Sequence, residues 1–136
     1  MMGEAKVRAE VEVNPTEDLD KVKAAVHRVL GELELEVKDE EGTKRLIGTA
    51  NGPEALTWFH DLLRRERILD AARKVLSRGV LGNSIIFYLN KQVAYVGHLS
   101  FSQPTGESPL GPIQVEIQCV NPRELIGWLT PRTASK

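Results

Sequence analysis

Residues 81–101, Leu-Gly-Asn-Ser-Ile-Ile-Phe-Tyr-Leu-Asn-Lys-Gln-Val-Ala-Tyr-Val-Gly-His-Leu-Ser-Phe, form the longest apolar block of the chain and constrain its fold most. Ile85, Ile86, Phe87, Tyr88 and Leu89 run without alternation, the pattern of a strand covered on both faces. Five residues are few for a helix, and β-branched and aromatic content favours a strand. Val93, Ala94, Tyr95 and Val96 read as a return strand, with Asn90-Lys91-Gln92 as the turn between them. Asn tolerates the positive φ that a tight turn needs, whereas Lys91 at the second position suits a longer one.

The rest of the chain arranges itself around this block. Val7, Ala9, Val11 and Val13 alternate with Lys6, Arg8, Glu10 and Glu12, which predicts a half-buried strand. Asn14-Pro15-Thr16-Glu17 reads as a helix start with Asn as N-cap, Pro at the first helical position and Glu reaching back in a capping box. The helix carries Leu19, Val22, Val26, Val29 and Leu30 on one stripe and ends at Gly31. Leu33, Leu35 and Val37 alternate with Glu32, Glu34 and Glu36 in a second strand, and a turn at 39–42 leads to a third over 44–50. The glutamates read as a solvated face or edge, or more sharply as paired catalytic carboxylates; no nearby apolar pocket would raise a carboxylate pKa.

Asn51-Gly52-Pro53-Glu54 starts another helix, with Ala55, Leu56, Phe59, Leu62 and Leu63 as its stripe. The stripe resumes at Ile68, Leu69, Ala72, Val75 and Leu76, so 64–67 is a kink or a break. Residues 102–112 hold three prolines and two glycines and read as a loop, either ordered and functional or mobile. Ile113, Val115, Ile117 and Cys119 then alternate in a last strand. Asn121-Pro122-Arg123-Glu124 repeats the earlier helix start, and Leu125, Ile126, Trp128 and Leu129 follow. The echo fits either an internal duplication or a common strand-to-helix joint. This order, β-α-β-β-α-α-β-β-β-α, predicts a two-layer α+β domain over residues 1–130, with a frayed tail at 131–136. Its sheet is mostly antiparallel with helices on one face, the 85–89 strand is central, and the glutamate strand lies at an edge.

Net charge over the 136 residues is −1, so bulk charge calls for neither nucleic acid nor membrane. The halves differ: residues 1–60 hold 8 Lys/Arg against 13 Asp/Glu, a balance of −5, and residues 61–136 hold 10 against 6, a balance of +4. One cysteine, Cys119, excludes an intramolecular disulfide and a cysteine-cluster metal site, and suits a reducing, cytoplasmic setting. No apolar run approaches the ~20 residues of a membrane span.

His27, His60 and His98 show no metal-ligand spacing, and there is no P-loop or dinucleotide motif. His98 beside Gly97 reads as a ligand or base, or as a hydrogen-bonded strand histidine. Cys119 falls on the apolar face of its strand and reads as a buried inert thiol rather than a nucleophile. No catalytic residue, metal or cofactor is therefore assigned, and a non-enzyme is expected. The positive signal is Arg64, Arg65, Arg67, Arg73, Lys74 and Arg78 in one helical segment. Arg67, Lys74 and Arg78, spaced by seven and four, share a face opposite the apolar stripe. They form either a solvated helix face or a phosphate-tracking surface.

Val-Asn-Pro-Thr-Glu-Asp after the first strand, Leu-Gly-Asn-Ser-Ile-Ile-Phe-Tyr-Leu-Asn-Lys-Gln-Val-Ala in the middle and Pro-Leu-Gly-Pro-Ile before the last strand resemble an archaeal group, uncharacterized protein family 0201. The likeness spans roughly residues 5–130, and Leu-Asn-Lys-Gln is its most specific part. Val93 stands where the family usually has alanine. The resemblance implies an α+β fold similar to a large-subunit ribosomal protein, an archaeal cytoplasmic setting, and RNA (ribosomal or exosome-related) as partner. It implies no catalytic residues. Backbone contacts at Asn90, Lys91 and Gln92 are an expectation from the motif. The alternative is a protein-interaction module or homodimer using a sheet edge or the Pro/Gly loop.

Overall fold

Strict alternation at the N-terminus becomes the middle of the sheet. In the computed structural model, which describes residues 5–103 and 111–131 and only the backbone at 53–55, strand β1 (Lys6–Val13) buries Val7, Ala9, Val11 and Val13. It pairs antiparallel with β3 (Thr43–Asn51) on one side and β6 (Pro112–Gln118) on the other, so that Val11 lies between Leu46 and Ile113. The outer neighbours are β2 (Glu34–Glu40) beyond β3, then β5 (Ser84–Asn90) and the short β4 (Val80–Leu81) beyond β6. The order is β2-β3-β1-β6-β5-β4, antiparallel throughout. The glutamate strand is at an edge, as its charge demands. Glu41 and Gly42, both at positive φ, close the hairpin between β2 and β3 in the way a two-residue turn requires.

Helices α1 (Leu19–Leu30), α2 (Pro53–Glu66), α3 (Leu69–Arg78), α4 (Lys91–Tyr95) and α5 (Pro122–Leu129) bury their apolar stripes in one core with the inward strand residues. The expected discontinuity at 64–67 is a full break: Arg67 adopts a left-handed conformation (φ 59°) that ends α2, and α3 starts two residues later. Most of the 102–112 loop, the tail at 132–136 and the Ala55 side chain lie outside the described residues.

Three expectations are corrected. The return strand at 93–96 is helix α4, because the Asn90 carboxamide accepts the Val93 N–H at 3.0 Å and caps a helical turn. The chain comes back to β5 only afterwards: Ser100 O accepts the Asn90 N–H, and Ser102 N–H donates to Tyr88 O. Next, β5 is second from the edge, and it does alternate. Ile85, Phe87 and Leu89 are buried, whereas Ile86 and Tyr88 are half-buried on the open face beside Glu116 and Gln114. Phe87 is a core anchor all the same, 2% exposed and stacked on Phe59 with ring centroids 5.4 Å apart. Finally, α1 starts at Leu19 under an Asp18 cap, not at Asn14. Asn121, by contrast, caps α5 as expected, with its side chain accepting the Glu124 N–H at 3.1 Å.

Candidate nucleic-acid interface

The six cations of the 64–78 segment divide into two groups. The Arg64 guanidinium donates to the carbonyls of His60, Leu129 and Trp128, at 3.1, 3.4 and 3.5 Å. Arg73 donates to Thr130 O and Pro131 O at 3.0 Å each, and pairs with Asp70 at 3.1 Å. Both thus grip the C-terminal end of α5, where free carbonyls and the helix dipole favour a positive charge. Arg65, Arg67, Lys74 and Arg78 are exposed, and among the described residues none of the four is in a salt bridge. Arg65 and Arg67 sit at the corner between α2 and α3. Lys74 and Arg78 share a face one turn apart, with Arg78 Nε donating to Lys74 O. Arg123 on α5 is exposed too and lines a cleft of about 220 Å3 with Arg73 and Ser77. It stands beside Glu124 in the sequence, and no spacing singles it out.

The Asn90-Lys91-Gln92 segment is not the polar turn that its letters suggest. Asn90 is the α4 cap, and only Gln92 is exposed. Lys91 is 0% exposed, so its ammonium is out of reach of a surface ligand. Its Nζ donates to Glu12 O at 2.8 Å and to Glu17 Oε1 at 2.9 Å. Glu17, with a side chain 5% exposed, also accepts from the Tyr95 hydroxyl at 2.7 Å and from the Asn14 backbone N–H and carboxamide at 3.0 and 2.9 Å. Burial alone would raise the Glu17 pKa; the donors from Asn14, Tyr95 and Lys91 outweigh it and hold the carboxyl below its ordinary value. Burial, reinforced by Glu17, pushes the Tyr95 hydroxyl well above the usual phenol range. The most specific block of the sequence is therefore an internal anchor that ties α4 to the end of β1.

A second tether lies beside the cationic corner. Glu66 accepts from His98 at 3.1 Å and from the Leu99 N–H at 3.2 Å, holding the chain after α4 against the end of α2. The His98 bond chiefly holds the Glu66 carboxyl below its ordinary value. On the open sheet face, charges cancel: Glu10 accepts from Arg8 at 2.8 Å and from Arg45. Glu34, Glu36, Asp39 and Glu40 line the exposed β2 edge, across the sheet from α3 and β4. The acidic β2 strand and the cationic α3 thus lie towards opposite margins of the sheet. Burial pushes the Cys119 thiol up, consistent with an inert group. Among the described residues no cluster of His, Cys, Asp and Glu could hold a metal, and no helix is long and apolar enough to cross a membrane.

A family model described as RNA binding matches residues 6–119. The UPF0201 protein of Sulfurisphaera tokodaii is 47% identical over 129 residues, covering 95% of this chain and 89% of that protein. The crystal structure of a UPF0201 protein from Methanococcus jannaschii superposes with a TM-score of 0.82 at 33% identity, over 93% of this chain and 99% of that one. A DUF54 protein from Methanothermobacter thermautotrophicus, with a TM-score of 0.66 at 19% identity over 93% of each chain, shares the fold.

Proposed function

The chain belongs to this RNA-binding family, and we propose that it binds RNA, without catalysis, through the sugar–phosphate backbone. The observation that carries the reading is the set of Arg65, Arg67, Lys74 and Arg78: four exposed cations, two at the α2–α3 corner and two along α3, free of salt bridges among the described residues. Gln92, on α4, is the exposed member of the 90–92 segment and the one of the three that can offer a ligand a neutral donor. Arg64 and Arg73 hold α5 in place, and Asn90 and Lys91 hold α4, so these four act on the fold rather than on the ligand. The acidic β2 edge repels the same ligand, which orients the protein on it. A cytoplasmic site of action accords with the lone free cysteine.

Phosphate neutralisation releases counterions, so four contacts give a log–log salt slope of about −3 to −4. Titrations of RNA at several salt concentrations test this with wild type beside the Arg67→Glu/Lys74→Glu/Arg78→Glu variant. The variant is expected to bind all RNA sequences more weakly, and to about the same degree, because phosphate contacts position without specifying. Equal binding by both proteins reduces the corner to a solvated face. Absence of binding by wild type removes the RNA reading.

A further inference from the structure

The outer edge of β5 is covered by two segments that do not meet. Near its start, β4 pairs Val80 with Ile85 and Leu81 with Ser84, and Gly79 O takes the Ile86 N–H at 2.9 Å. Near its end, residues 100–102 pair with it, through Ser102 N–H to Tyr88 O at 2.9 Å and a bridge between Leu89 and Phe101. Both segments run antiparallel to β5, so the second would collide with Gly79 if it continued one more pair of residues. Gly79 is itself tightly seated: a Cβ there would lie 2.1 Å from Ile86 O. Between the two covered stretches a cleft of about 380 Å3 opens, walled by α3 on one side and residues 101–103 on the other. Val75, Phe87 and Phe101 supply apolar wall; Arg78, Ser102 and Gln103 supply polar rim. Phe101 is half-buried and meets Phe87 at 67°, with centroids 5.9 Å apart.

We infer that this cleft receives an unpaired nucleobase, so that the RNA bound at the cationic corner is single-stranded or looped there. The inference rests on the RNA reading and narrows it to a substrate class. A phosphate would lose its hydration against Val75 and Phe101. A nucleobase offers a flat π-face for Phe101 and a hydrogen-bonding edge for the Gln103 carboxamide. Arg78, at the mouth, also belongs to the row with Lys74, so a strand tracked along that row delivers a base to the cleft. Bases in an A-form duplex are stacked and paired and cannot enter a side cleft, whereas unpaired bases stack readily on aromatic rings.

The test uses the full chain, a labelled single-stranded oligoribonucleotide carrying one 2-aminopurine, and a blunt duplex of the same length. Wild type should bind the single strand at least about tenfold more tightly and quench the 2-aminopurine. Phe101→Leu keeps an apolar contact for Phe87 but removes the stacking ring. It should weaken single-strand binding about five- to hundredfold, abolish the quench, and leave the duplex affinity and salt slope unchanged. Gln103→Ala, at an exposed position, should weaken the single strand about two- to tenfold. Equal affinity for strand and duplex, or a quench that survives Phe101→Leu, overturns the cleft. In that case, binding that is still lost on reversing Arg67, Lys74 and Arg78 keeps the RNA reading. A wild type that binds neither ligand overturns both.

Discussion

The chain contains the same strand-to-helix joint twice, and the two copies fold differently. Asn14-Pro15-Thr16-Glu17 leaves β1, and Asn121-Pro122-Arg123-Glu124 leaves its neighbour β6. At the second joint the local signal is obeyed: Asn121 caps, Pro122 opens α5, and Glu124 stays exposed in the first turn. At the first, Glu17 does reach back to the Asn14 N–H, but the helix waits until Asp18 has capped it. The difference is a tertiary partner. Glu17 faces the buried ammonium of Lys91, and a short non-helical turn brings it there while Asp18 takes over the capping. A capping box contributes about 1 kcal/mol, whereas a buried lysine left without its carboxylate costs several, so the longer-range interaction decides the geometry.

Equivalent substitutions at the two joints break or sharpen this contrast. Glu17→Ala takes the carboxylate from the buried Lys91 ammonium and should destabilise the fold by about 3–5 kcal/mol, read as a shift in denaturant midpoint. The next effect is on pH. The folded Glu17 carboxyl titrates below its ordinary value of 4.5, so its contribution is complete above about pH 4.5 and drains away as pH falls further. Glu17→Gln, compared with wild type across pH 3–6, should flatten that part of the acid limb; an unchanged limb would place the anchor elsewhere. Asn121→Ala and Asp18→Ala should each cost about 0.5–2 kcal/mol, because these are the two residues that cap. Glu124→Ala, the formal counterpart of Glu17→Ala, should fall within about 0.5 kcal/mol. A large effect at Glu124 would mean that the joints are alike after all.

Much of the fold is legible wherever one face is buried and the other is wet. β1 and β6 announce themselves by alternation, α1 by its stripe and Gly31, and the α2–α3 break by the gap at 64–67. The family resemblance agrees with the relatives found. β5 misleads because Ile86 and Tyr88 add apolar letters on a half-covered face. α4 has too few residues for periodicity, and its one signal was Asn90 three residues before Val93. The binding surface is less legible than the fold. Lysine is exposed by default, so nothing local marks Lys91 as internal. Arg64 and Arg73 look like their neighbours because the carbonyls that occupy them lie 57 to 65 residues further on. Counting cations thus overstates the free charge of the segment, and the corner left for a ligand is defined only once α5 is in place.

The position of β1 has a consequence for how the chain is made. β1 sits at the centre of the sheet, yet one of its two partners, β6, begins only at Pro112, almost a hundred residues further along the chain. At about 5–20 residues per second, some 5–20 s of translation separates them. During that time β1 can pair with β3, but its other edge from Lys6 to Val11 stays open. An open edge beside a forming sheet is a template for a neighbouring nascent chain. The alternating Lys6, Arg8 and Glu10, which face away from the core in the finished protein, keep that edge charged while it waits.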